Sequence, residues 1–382
     1  MDFGLSEEQK ILRKSARDFL KKECPKTLVR EMIQDEKGYS SQLWGKMAKM
    51  EWQGLGFPVE YGGSGGSFLD LVILFEEIGR VLLPSPFFAT VVLGGMSIME
   101  AGTEKQKQTY LPKVAKGDML LTLAMAEPGA RHEADSITLK AAPFKGDYVI
   151  NGTKLFVPYA NTADYILCVA NTGDETRAKD NITIFIVNAR DSTIAINPLK
   201  VIGQDKQYEV IFEETAVSKQ DILGRLDIGW ANIEKVLHKA TIALSAEMNG
   251  ATEHILEMTT SYAKERVQFG KPIGSYQAIQ HRCVDTLIAL RASQVLTYDA
   301  AWKISLGIPC AMDVSMAKAW ASESYKRATW TAMEINGGVA SIVGHDMPLY
   351  YRHAKGAEVT LGDADFHREL IATEVLNKGP EA

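Results

Sequence analysis

The stretch AKGAEVTLGDADFHRE, residues 354–369, sets Glu358, Asp363, Asp365, Glu369 and the imidazole of His367 behind an apolar, glycine-bearing segment, EINGGVASIVGH. Carboxylates and imidazoles suit general acid–base work when one of them stands within reach of a reacting carbon. The plainer alternative is a helix start. If a helix begins after Gly362, Asp363 and Asp365 are first-turn acids favoured by the helix dipole. His281, His345 and His353 are further proton carriers. A second chemical feature is RVQFGKPIGSYQAIQH, residues 266–281, whose Arg266 carries a planar fork of donors that suits a pyrophosphate. No His-x-x-x-His or carboxylate cluster suggests a metal, and no GxSxG or Cys–His pattern suggests an acyl-transfer nucleophile. EYGGSGGS (60–67) lacks both GxGxxG and GK[ST] spacing, so it reads as a loop rather than a phosphate cradle.

Three blocks must position these groups. The first third reads as helix: Ser6 and Gln9 fit a capping box, and Ile11, Leu12, Ala16, Phe19 and Leu20 recur at helical spacing. A further helix is expected over 68–83, closed by PSP. Near residue 120 the texture changes to short β-rich runs, among them YVING, DYILCVA, ITIFIV and YEVIF, separated by turn clusters. From about residue 230 long helical periods return, and the third of them ends at a Gly-Gly stop. The expected fold class is α+β, mostly α. An N-terminal helical domain (1–120) precedes a central antiparallel β-domain (121–228) and a C-terminal four-helix bundle (229–382).

The chain has 382 residues, a net charge of −6 and 46% hydrophobic residues, a globular composition. Mild acidity without a basic, aromatic-interleaved stretch argues against nucleic acid. The start MDFGLSEEQK does not read as a secretion signal, and MLLTLAMA (119–126) is far too short to span a bilayer. Cys24, Cys168, Cys283 and Cys310 form no CxxC pair, so a reducing, cytoplasmic setting is expected.

LAMAEPGARHEADS (123–136), the Arg266 segment and EINGGVASIVGHDMPLYYR (334–352) fall on this plan in an order that resembles the acyl-CoA dehydrogenase family, over nearly the whole chain. The resemblance implies FAD, an acyl-CoA thioester oxidised across its α,β bond, and an electron-transferring flavoprotein as partner. It also implies a homotetramer or an α2β2 heterotetramer. By resemblance Arg266 binds FAD held mainly by a neighbouring subunit, with Gln268 and Phe269 beside it. Gly337 and Gly338 let the backbone approach the cofactor, and Glu334 stands where relatives often carry Gln. On the flavin-ring side, Ala126 replaces a Thr, His132 replaces a Ser, and Phe156 takes the place of an aromatic. Pro158 offers neither the hydroxyl nor the N–H that relatives supply.

The family's usual catalytic glutamate maps onto Leu361. Its alternative place, on the first bundle helix, maps onto Ala240. Both standard bases are therefore absent. Glu247, seven residues beyond Ala240, shares its helix face about 10 Å further along the axis. It is the catalytic candidate, weighed against a helix acid with a structural partner. Three functions remain open: a self-sufficient dehydrogenase with an unconventional base, a non-catalytic partner completing a neighbour's FAD site, and elimination chemistry on an acyl-CoA. The segment LPSPFFATVVLGG (83–95) borders an acyl pocket or simply packs the core.

Overall fold

The computed structural model describes residues 4–129, 133–173, 178–203 and 205–377. The chain opens with α1 (Glu7–Glu23), α2 (Lys26–Gln34) and α3 (Ser41–Lys49). The capping box of Ser6 and Gln9 forms as the sequence predicts. Helix α4 (Phe68–Val81) starts at a second capping box, Ser67 with Asp70, and ends where Leu82 turns left-handed at φ 54°. Almost every residue from Leu71 to Gly79 is buried, so α4 is a core helix rather than an amphipathic one. A π-helical segment (Phe88–Gly95) runs into α5 (Met96–Ala101), and α6 (Glu104–Ala115) leads to the sheet.

The sheet contains β1 (Leu121–Ala124), β2 (Lys140–Phe144), β3 (Asp147–Pro158), β4 (Tyr165–Asn171), β5 (Ile182–Asn188), β6 (Ile194–Leu199) and β7 (Gln207–Val217). Strand order is β1-β4-β2-β3-β7-β6, with β5 paired to β4. The long pairings are antiparallel, as expected for short strands joined by turns, but β1 runs parallel to β4. The sheet is therefore mixed. The reason is that β1 enters from the helical block and is separated from β4 by β2 and β3, so no hairpin links the pair.

Three long helices follow: α7 (Gly229–Glu265), α8 (Gln277–Ser305) and α9 (Ala311–Asn336). A two-residue ribbon, β8 (Val267–Gln268) with β9 (Lys271–Pro272), joins α7 to α8. The fourth place of the bundle is shared by α10 (Met347–Val359) and α11 (Ala364–Asn377), both packed on α9. One hydrophobic core joins the N-terminal helices to the bundle, and a second fills the sheet. Helices α4 and α7 cross with their backbones in contact. A Cβ added to Gly79 would lie 1.9 Å from the carbonyl oxygen of Glu247, and one added to Gly250 would lie 1.7 Å from that of Glu76. Only glycine permits that approach, and it fixes the height of Glu247 against α4.

Candidate active site

A cavity of about 530 Å³ opens where α4, the π-helical segment, the sheet, α7 and α10 converge. Its walls are mostly apolar: Phe75 and Ile78 from α4, Phe87, Phe88 and Leu93 from the π-helical region, Leu237 and Leu244 from α7. The segment 83–95 thus borders the cavity as well as the core. Phe156 projects into it because the β3–β7 ladder loses register between Lys154 and Val157. There Phe156 takes φ 52° and keeps 58% of its surface exposed. A bulge re-aims a side chain in this way.

The segment that carries Met125 and Ala126 is tied to β3 by a buried ion pair. Lys154 Nζ donates to Glu127 Oε1 at 2.6 Å and to the Met125 carbonyl at 3.0 Å. Glu127 also accepts from Thr138 and from the Leu139 N–H. Burial alone would raise the Glu127 carboxyl, but Lys154 and these donors outweigh it and hold it below its ordinary range. Ala126 itself accepts from Leu155 N at 2.8 Å. Ala126 thus lines the cavity next to a glutamate anchored behind it.

The polar end of the cavity is built by Glu247, His353, Asp205 and Gln207. His353 Nε2 lies 3.0 Å from Glu247 Oε1, and Nδ1 lies 3.1 Å from the Tyr325 hydroxyl. Burial would lower the His353 pKa, but the hydrogen bond and charge of Glu247, with Asp205 behind, raise it. Asp205 rides on the loop between β6 and β7. That loop reaches α10 because Gly203 and Gly356 touch, a Cβ at Gly356 lying 3.1 Å from the Gly203 Cα. Burial first, then the charge of Glu247, push the Asp205 carboxyl up to about 6. Asp205 keeps an exposed side chain on that loop and also lines the cavity.

The two positions onto which the resemblance maps the family's base carry hydrocarbon. Leu361 lines the cavity at φ 60°, and Ala240 is fully buried and lies outside the lining. Lys318, itself fully buried, holds the Leu361 turn by donating to Gly362 O at 2.8 Å and Glu358 O at 3.1 Å. The other acids of 354–369 face away from the cavity lining. Glu358 pairs with Lys326 and Lys355, Asp363 caps α11 through Phe366 N, and Asp365 pairs with Arg368.

A second face carries the Arg266 group. Arg266 is exposed, and among the described residues its guanidinium has no hydrogen-bond partner. Phe269 is 93% exposed at φ 53°, beside Gln268 on the β8–β9 ribbon. Gly337 has φ +63°, and a Cβ at Gly337 or Gly338 would meet nothing within 4 Å. Glu334 is neutralised by an ion pair with Arg282, so it does not repel a diphosphate here. An open guanidinium, a bare aromatic ring, open glycine backbone and no uncompensated acid at Glu334 fit one side of a dinucleotide. His132 lies outside the described residues. Sequence reasoning did not find Asp205, Gln207, Lys318 or the Glu127–Lys154 pair, since no local pattern singles them out.

Models of the acyl-CoA dehydrogenase N-terminal, middle and C-terminal domains match residues 6–118, 122–215 and 227–376. An acryloyl-CoA reductase (NADH) of Anaerotignum propionicum is 32% identical over 99% of this chain and 97% of its own length. Butyryl-CoA dehydrogenase of Megasphaera elsdenii superposes with a TM-score of 0.92 at 27% identity, over 98% of this chain and 100% of that one. A chain of the ChsE4–ChsE5 complex of Mycobacterium tuberculosis superposes at 0.90 and 26% identity, covering 100% of both chains. With three domain models matched in order along one fold, the chain belongs to the acyl-CoA dehydrogenase family, FAD-dependent oxidoreductases acting on acyl-CoA thioesters.

Proposed function

We propose that the acyl group lies in the cavity and that its α-proton passes to the Glu247–His353 pair. One observation carries this. Among the described residues lining the cavity, Glu247 and Asp205 are the only carboxylates and His353 the only imidazole. FAD, when bound, supplies the hydride acceptor for the β-hydrogen. Ala126, Phe156 and Pro158 form the wall beside its ring, while Arg266, Gln268, Phe269, Gly337 and Gly338 serve the cofactor of a neighbouring subunit. In the ion-paired form the Glu247 carboxylate takes the proton while His353 keeps its own, and the positive charge left on the imidazole is faced by Asp205. Glu247 lies about 10 Å along α7 from Ala240, so the reacting carbon is displaced along that helix from the place a base at 240 would serve.

A second reading is favoured by the aliphatic side chains at both base positions beside an intact Arg266 face. In it the chain completes the FAD site of a homologous partner in an α2β2 assembly. Exposed Val284, Leu287, Ile288 and Val295 run along α8 and support association, as homotetramer or heterotetramer. An electron-transferring flavoprotein takes the electrons in either case. Four free cysteines, three of them buried, suit a reducing cytoplasm.

The test is purification of the chain alone, followed by anaerobic titration with acyl-CoA thioesters. A yellow protein that bleaches, and a Glu247→Gln variant that keeps FAD but no longer bleaches, support the first reading. A colourless chain that contributes only when mixed with a homologous partner supports the second.

A further inference from the structure

The polar side chains of the cavity are unevenly spent. The Tyr159 hydroxyl donates to Gly38 O at 3.4 Å, and the Thr360 hydroxyl donates to Gly356 O at 2.9 Å. Both His353 nitrogens are engaged, by Tyr325 and by Glu247. Apart from the Ser85 hydroxyl and the Gln207 amide N–H groups, the side-chain donors of the lining residues are used up inside the protein. The acceptors are not. Gln207 Oε1 is buried with no hydrogen-bond partner. Asp205 has no ion-pair partner among the described residues and keeps its side chain exposed. Both residues stand on the segment that Gly203 docks against Gly356.

The buried amide oxygen is costly while it lacks a partner, and the Asp205 carboxylate is an acceptor left free beside an otherwise apolar cavity. A plain aliphatic chain cannot do so. We propose that Asp205 and Gln207 read a hydrogen-bond donor, a hydroxyl or a protonated amine, carried on the acyl group of the thioester. The inference rests on the cavity being the acyl site. It makes Asp205 a specificity-determining residue, separate from proton transfer at Glu247.

The experiment uses the FAD-loaded protein, with its partner subunit where one is needed to hold FAD. Three CoA thioesters of equal chain length are compared, ending in a hydroxyl, a primary amine or a methyl group, and their dissociation constants are measured by calorimetry. A site built around a donor rejects the analogue lacking it by large factors. Here the better of the two donor-bearing thioesters is expected to bind at least about tenfold tighter than the methyl isostere, and Asp205→Leu is expected to erase or reverse that ratio while keeping methyl-thioester binding. Preference for the amine that falls in Asp205→Asn assigns a cationic donor. A hydroxyl preference that survives Asp205→Asn but falls in Gln207→Leu assigns a neutral one. Methyl isostere binding as tight as either donor in the unmodified protein overturns the proposal and leaves the acyl site standing. Failure of all three thioesters to bind overturns both.

Discussion

The Tyr325 hydroxyl sits 3.1 Å from Nδ1 of His353, and this contact fixes which imidazole nitrogen exchanges a proton. Tyr325 has one hydroxyl hydrogen, and it donates to the Tyr350 carbonyl, also at 3.1 Å. A carbonyl only accepts, so the tyrosine oxygen must accept from Nδ1–H. Nδ1 is therefore protonated, and Nε2 is the nitrogen that shares a proton with Glu247. The pair is either imidazolium with carboxylate or two neutral groups. Its total charge is the same in both forms.

Removing His353 leaves Glu247 without its partner. His353→Leu is expected to cost about 3 kcal/mol at mildly acidic pH, the range for breaking one side of a buried pair. The folded pKa of His353 is raised above 6.5. Its contribution is therefore fully present below the unfolded value and is lost as pH rises through the folded value. Denaturant midpoints of parent and variant should accordingly differ more near pH 6 than near pH 9, both chosen about the ordinary histidine value.

Lys154 and Glu127 present the opposite pH signature. Glu127 is depressed below 4.5, so its stabilisation is present above that value and fades as pH falls through the folded pKa. Lys154→Met leaves a buried carboxylate unpaired and is expected to cost about 3–5 kcal/mol at neutral pH. Because Lys154 also holds Met125 O beside the cavity, flavin affinity should fall with stability. Equilibrium unfolding across the acid range, with flavin fluorescence followed in parallel, checks both effects.

Leu361 offers a way to return a carboxylate to the position onto which the resemblance maps the family's base. In a Glu247→Gln background, adding Leu361→Glu is expected to restore anaerobic bleaching by a factor on the order of 10², the lower range for a positioned base. Stopped-flow flavin reduction measures it. No recovery would show that the turn at φ 60° does not aim residue 361 at the reacting carbon.

Arg266 should affect cofactor binding without affecting folding. Its guanidinium has no partner among the described residues, so Arg266→Ala removes nothing from the protein itself. Losing charge-assisted bonds to a diphosphate should weaken FAD by about 10–100-fold, with Arg266→Lys recovering part. Apoprotein melting temperature and FAD dissociation constant, measured side by side, separate this from a structural role.

Much of the plan was legible in local pattern. Ser6 with Gln9, the stop at Gly337 and a helix start just after Gly362 are short-range hydrogen-bond and dihedral effects, and residues a few positions apart carry them; that Asp363 caps α11 rather than sitting in its first turn came from the structure. The two hydrocarbon residues at 361 and 240 were likewise visible by counting within motifs. Pairings over long separations were not. Glu247 and His353 are 106 residues apart, and Arg282 and Glu334 are 52 apart. Nothing in the flanking sequence of either partner names the other. The sequence alone determined the family and the order of helices and strands. Only the tertiary structure decided that Glu247 meets an imidazole, that Glu334 is neutralised, and that Asp205 and Gln207 face a cavity. Those outcomes depend on helix crossings and loop docking at Gly79, Gly250 and Gly203, where backbone contact sets position.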